Sequence, residues 1–241
     1  MIPTLLHLAG MVERCDKICK DNNSIHKRSN ERIKNLDLIV CLTGMPGSGK
    51  STVAEFLREY GFSLVTMGNL IREEATRTHI EPTDTNLGNL MMKMRNECGP
   101  GAIAHLIKKK IERMETKTGS NNFVVDGIRS MSEVEVLKTA GSVKLFSIHA
   151  SARIRFEHLK KRARADAPLT CHDFHTRDKR ELSVGISEAI ALSDEVLSNN
   201  SLTIGELEEK SMRIVQRWVK EHHKKYKGYK KGRPQVGGTG Y

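Results

Sequence analysis

The sequence predicts an α/β protein built on a parallel sheet flanked by helices, and three observations carry that reading. Short, continuous apolar runs recur along the chain: "LDLIVCLTG" from Leu36, "NFVVDG" from Asn122 and "VKLFSIHA" from Val143. Runs of this kind are buried on both faces of a parallel sheet. Helical patterns separate them, the alternation such a sheet requires. The first run also ends in a glycine-rich turn, Gly44-Met45-Pro46-Gly47-Ser48-Gly49-Lys50-Ser51, that opens into a helix.

Taken in order, that helix is expected from Gly49 to about Tyr60, and "FSLVTMG" from Phe62 reads as a second strand. Arg72 to about Ile111 is mostly helical, interrupted by Pro82 and by "CGPG" at Cys98–Gly101. Arg153 to Arg164 forms a strongly basic helix that Pro168 breaks. The polar stretch to about Lys179 is expected to be mobile, with helix resuming near Arg180. "DEVLSNN" from Asp194 supplies the last of five strands, and Ile204 to Lys227 a long final helix. At the other end, Leu5, Leu8, Val12, Cys15 and Cys19 recur at helical spacing, so an amphipathic helix is expected over residues 4–20. The organisation is therefore an N-terminal helix and linker (1–35), a main domain (36–220) with a lid at about 160–182, and a basic, glycine-rich tail (221–241) expected to be disordered.

Composition narrows the function classes. The chain of 241 residues has a net charge of +11, yet Lys220–Tyr241 alone carries seven basic residues against the single Glu221, so the rest is only mildly basic. Aromatic residues make up 5%, which is lean for a surface that stacks bases. The five cysteines are scattered and odd in number, which points to reduced thiols and a cytoplasmic address. No apolar run reaches the roughly 20 residues needed to span a bilayer, so no membrane partner is expected. The N-terminus lacks the basic region of a signal peptide.

Gly44 to Ser51 matches G-x-x-x-x-G-K-[ST] at every constrained position, the signature of a P-loop NTPase fold. Glycines let backbone N–H groups converge on phosphate oxygens. Lys50 brings positive charge to the β- and γ-phosphates, and the Ser51 hydroxyl can join a Mg²⁺ shell. The following helix points its positive end at the same anion. Gly44, Met45, Pro46, Gly47, Ser48, Gly49, Lys50, Ser51 and Thr52 are therefore the candidate nucleotide-binding residues, with ATP as donor.

Asp126 stands where an apolar strand ends, the place where ligands gather in an open α/β sheet, and is the second candidate contact for Mg²⁺. Arg129 follows three residues on. In "VTMGNLIREEA", Gly68 permits close approach and Arg72 lies one helical turn beyond, a fork suited to a second phosphoryl group. Arg162, Arg164, Arg177 and Arg180 flank the expected lid, where arginines can stabilise a transferring phosphoryl group and a flap can exclude water. Lys160, Lys161 and Lys179 read as solvated surface. Cys171, His172 and His175 fall short of a four-ligand zinc site.

With these motifs assembled, the chain resembles the adenylate-kinase-like and dephospho-CoA-kinase-like P-loop nucleotide kinases from about Leu36 to Lys220. It is most similar to a group of archaeal P-loop proteins that carry "LTGMPGSGK", "MGD-x-x-R-E-E", "VVDGIRS" and "RD-x-R-E-L-S-x-G-I". Here the corresponding segments are Leu42–Lys50, Met67–Glu74, Val124–Ser130 and Arg177–Gly185. The resemblance implies a small acceptor-binding helical region with Gly68, Arg72 and Arg129 on the acceptor. It also implies catalytic roles for Lys50, Asp126, Arg162 and Arg177, with Arg180 on the lid. Asn199 or Asn200 would line the adenine pocket. Asn69 departs from the pattern, standing where relatives have aspartate.

The function expected is a Mg²⁺-dependent transfer of the γ-phosphoryl of ATP to a small phosphorylated, nucleotide-like acceptor. A nucleoside monophosphate is favoured because the sequence shows no strong general base. The alternative is an ATPase of the same fold that assists RNA or ribosome assembly through the basic tail, since such a tail would release counterions on binding nucleic acid.

Overall fold

The computed structural model of this chain describes residues 38–118, 122–162 and 170–231. The expected N-terminal helix and linker, the centre of the expected lid with Arg164, and residues 232–241 lie outside the described residues.

Five strands form one wholly parallel sheet: β1 (Leu38–Thr43), β2 (Ser63–Thr66), β3 (Asn122–Ile128), β4 (Ser142–His149) and β5 (Glu195–Ser198). Their order is β2-β3-β1-β4-β5. All three apolar runs of the sequence become its central strands. Because β1 pairs with β3 on one side and β4 on the other, the chain switches direction there, and a crevice opens at the carboxyl ends of these strands. The period-2 alternation of side chains divides the core in two. Ile39, Cys41, Phe123 and Val125 face one layer of helices, whereas Leu38, Val40, Leu42 and Val124 face the other. Burial pushes the Cys41 thiol up and holds it neutral.

The helices among the described residues are α1 (Lys50–Glu59), α2 (Met67–Arg77), α3 (Asp84–Cys98), α4 (Ala102–Thr118), α5 (Met131–Lys138), α6 (Ala152–Arg162), α7 (Cys171–Ser183), α8 (Ile186–Ala191) and α9 (Ile204–Lys231). Pro82 and the "CGPG" turn separate α2, α3 and α4 as expected. Trp218 of α9 is buried against the sheet, edge-on to Phe146 at 5.6 Å between ring centroids. No helix among the described residues is long and apolar enough to cross a membrane.

Three features depart from the sequence expectations. First, the stretch expected to be mobile to about Lys179 is helical from Cys171. A capping box starts it: the Thr170 hydroxyl accepts from the Asp173 N–H at 3.1 Å, and the Asp173 carboxylate accepts from the Thr170 N–H at 3.0 Å. The T-x-x-D pattern was legible but sits in a polar run that masks it. Thr170→Ala is expected to lower stability by about 1 kcal/mol, measurable by denaturant unfolding. Second, α9 continues to Lys231, taking in the first half of the stretch expected to be disordered. Its lysines are good helix formers and are favourably placed near a helix C-terminus. Third, Cys41 and Cys171 are free thiols, but Cys98 is disulfide-bonded, a pairing that scattered spacing does not reveal.

Candidate active site

The glycine-rich turn joins β1 to α1 at the centre of the crevice. Gly44 has φ +136°, and a Cβ there would lie 2.2 Å from the Ile148 carbonyl oxygen, so only glycine lets the turn pass the end of β4. Side chains from other elements hold the turn's carbonyls. Arg155 Nη1 donates to the Pro46 carbonyl at 3.1 Å, His158 Nδ1 lies 2.9 Å from that of Gly47, and Asn199 Nδ2 donates to that of Ser48 at 2.9 Å. In a trans peptide the N–H points opposite to the C=O, so the N–H groups of Gly47 and Gly49 turn away from these side chains. The first turn of α1 has no side-chain cap and no acidic residue, which leaves its N-terminus suited to an anion. Lys50 Nζ donates to the carbonyls of Gly44 at 2.6 Å and Met45 at 3.0 Å. Burial pushes its pKa down to about 8, against the pull of Asp126.

Asp126 meets the turn from β3. The register of β1 against β3 shifts after Leu42, which pairs with Asp126, so that Thr43 pairs with Ile128. Gly127 absorbs this bulge at φ +105°. Asp126 is buried, and its Oδ2 accepts from Ser51 Oγ at 2.9 Å. Its Oδ1 is sealed from solvent without a hydrogen-bond partner. A hydroxyl and a carboxylate with an orphaned oxygen fit a hard, oxygen-seeking cation such as Mg²⁺.

The turn opens onto a cavity of about 720 Å³. Lys50, Ser51, Thr52, Gly68, Arg72, Asp126, Arg129, Arg162 and Arg177 line it together with Gly44, Pro46, Gly47 and Gly49. Segments more than a hundred residues apart thus converge on one cavity. Met45, Ser48 and Arg180 are not in the lining. Arg180 instead points its Nη2 at both carboxylate oxygens of Asp84, at 2.9 and 2.8 Å, and packs against Gly88. It joins α7 to α3 rather than facing the crevice. Arg177 lines the cavity while its Nε lies 3.4 Å from Asp84. Arg72 donates to Asn69 Oδ1 at 3.2 Å. Arg129 is more constrained: its Nε donates to Glu181 at 2.6 Å, its Nη1 to the Gly127 carbonyl at 2.8 Å, and its backbone N–H to Glu133 at 2.7 Å.

Comparison with known proteins places the chain. Residues 43–171 match the AAA domain family. A UPF0200 protein of Pyrococcus abyssi is 42% identical over 166 residues, covering 68% of this chain and 88% of that protein. The chain belongs to the UPF0200 family. A second UPF0200 relative, from Hyperthermus butylicus, is 39% identical over 183 residues, 75% of this chain and 94% of its own length. Among solved structures, TT1252 from Thermus thermophilus superposes with a TM-score of 0.50 at 17% identity, covering 77% of this chain and 98% of that one. That likeness speaks to the fold alone, a five-stranded parallel sheet between helices.

Two residues of this UPF0200 site had no signal strong enough to find in the sequence. Arg155, 5% exposed, makes a two-pronged ion pair with Asp178 at 2.8 and 2.6 Å and lies 4.9 Å over the Phe174 ring. With its bond to Pro46 it ties α7 to the glycine-rich turn, but in sequence it is one more charge in a basic helix. Glu181, 2% exposed, lines the cavity beside Arg129. It falls within the quoted "RD-x-R-E-L-S" segment, where the arginines drew the functional reading.

Proposed function

We propose that this protein is a Mg²⁺-dependent phosphotransferase that moves the γ-phosphoryl of ATP to a small, phosphorylated, nucleotide-like acceptor. The observation that carries the reading is a single cavity holding both halves of such a reaction. The phosphate cradle with Lys50, the Ser51–Asp126 pair and Arg72, which stands beyond the end of β2, all line it. Water alone as acceptor would not call for a second arginine-bearing wall. When bound, Mg²⁺ would offset the charge of the donor phosphates; Ser51 and Asp126 are the residues that would hold it. Lys50, Arg162 and Arg177 would stabilise the negative charge spread over the transferring group.

The test is an ATP turnover assay against a panel of nucleoside monophosphates and dephospho-CoA, in the wild type and in Arg72→Ala. The variant is expected to raise the acceptor KM about 10- to 100-fold, the loss of a charge-assisted phosphate contact, while leaving ATP affinity unchanged. Unaltered turnover with acceptor in Arg72→Ala would mean that the acceptor wall lies elsewhere.

A second reading, an ATPase of the same fold that assists RNA or ribosome assembly, draws support from α9. Arg213, Arg217, Lys220 and Lys224 recur at helical spacing and line a surface groove together with Glu221, although Arg213 is paired with Glu209 and Arg217 with Glu195. Under it, RNA stimulates ADP formation, no acceptor gains phosphate, and removing residues from Lys220 onward weakens RNA binding and its salt dependence.

A further inference from the structure

We propose that Glu181 is the general base of this site and that the atom it activates is a hydroxyl oxygen of the acceptor. The inference rests on the phosphotransferase reading and specifies which atom receives the phosphoryl group.

Glu181 lines the same cavity as Lys50, Asp126 and Arg72. One of its oxygens is anchored: Oε2 accepts from Arg129 Nε at 2.6 Å, and Arg129 is itself held by the Gly127 carbonyl and by Glu133. The other, Oε1, accepts no hydrogen bond from the described residues and, unlike Asp126 Oδ1, is not sealed from solvent. A base with one oxygen held by an orienting group and the other open to the cavity is the arrangement that general-base catalysis needs. Burial alone would raise its pKa, but Arg129, by its charge and hydrogen bond, together with Arg177 and Arg180, outweighs burial and lowers it. The carboxylate is therefore ionised at neutral pH, the form that can take a proton.

The same geometry argues against an acceptor phosphate oxygen as the attacking atom. Such an oxygen is already anionic and needs no base. Seated against Arg129, it would also meet the Glu181 carboxylate that has claimed that arginine's Nε. A neutral hydroxyl instead donates a hydrogen bond to Oε1. The acceptor is then a nucleotide whose phosphate serves as a handle at Arg72 and whose sugar hydroxyl turns toward Glu181. In the step, the hydroxyl oxygen forms a bond to the γ-phosphorus as the bond from that phosphorus to the β,γ-bridging oxygen breaks. ADP leaves with the electron pair, and the hydroxyl proton passes to Oε1 and then to solvent. The product is a phosphomonoester.

The experiment uses the full chain with Mg²⁺, ATP and, in turn, AMP, CMP, GMP, UMP and dephospho-CoA, each of which carries both a phosphate and a hydroxyl. Phosphorus NMR of the product distinguishes a new monoester, the expected result, from a new phosphoanhydride. An anhydride overturns the role of Glu181 and leaves the phosphotransferase reading standing; transfer to none of the acceptors overturns both. In parallel, Glu181→Gln keeps an oxygen for Arg129 but cannot take the proton. Its kcat is expected to fall about 100-fold with the ATP KM within about twofold of wild type. A kcat close to wild type in that variant would also overturn the proposal.

Discussion

Lys50→Ala is expected to lower ATP turnover about 10³-fold, the scale set by removing one preorganised charge from a site where negative charge develops. The lysine follows the αL residue Gly49 that caps α1, and its ammonium rests on the carbonyls of Gly44 and Met45. Burial strips water from that charge, which is why its pKa falls to about 8. A desolvated charge acts on a phosphoryl group far more strongly than one in water, so nothing in bulk solvent replaces it. The check pairs a turnover assay with calorimetric ATP binding. Turnover should fall much further than affinity, because the largest charge shift occurs in the transition state. Turnover within tenfold of wild type would mean that the glycine-rich turn binds nucleotide without performing transfer.

Asp126→Asn is expected to lower turnover about 100-fold at a given Mg²⁺ concentration, with part of the loss recovered as Mg²⁺ is raised, the pattern seen when a group that holds or orients a metal is neutralised. The substitution is nearly isosteric, and the amide oxygen can still accept from Ser51 Oγ, so the β3 bulge at Gly127 and the turn stay in place. What changes is the charge beside the orphaned Oδ1 position. A Mg²⁺ titration of turnover separates the outcomes: a rightward shift supports a metal role, whereas an unshifted curve with lower plateau assigns Asp126 a different part in the reaction. Thermal melting of the variant guards against a trivial loss of fold.

Much of this architecture was legible because it depends on local pattern. Parallel strands buried on both faces must be apolar without alternation, and Leu38–Thr43, Phe123–Val125 and Leu145–Ile148 advertise that directly. The glycine-rich turn is legible because close approach excludes side chains, as at Gly44. Short helices such as α5 and α8 left no distinct period, being six to eight residues long. The site was legible only to the level of which segments converge. Whether an arginine faces the crevice depends on partners far away in sequence: Arg180 turns to Asp84, and Arg129 to Glu181, separations of 96 and 52 residues. Periodicity carries no trace of such pairs. No strong general base is legible in the sequence; Glu181, proposed above for that role, lies on α7, the helix whose start was hidden in a polar run.

The most direct measurement follows the label from γ-³²P-ATP with the wild-type protein, Mg²⁺ and each candidate acceptor. Label is expected in an acceptor-derived product, only when acceptor is present, and in smaller amount with Arg72→Ala at sub-saturating acceptor. Recovery of all label as orthophosphate with every acceptor, at a rate that RNA accelerates, would contradict the phosphotransferase reading.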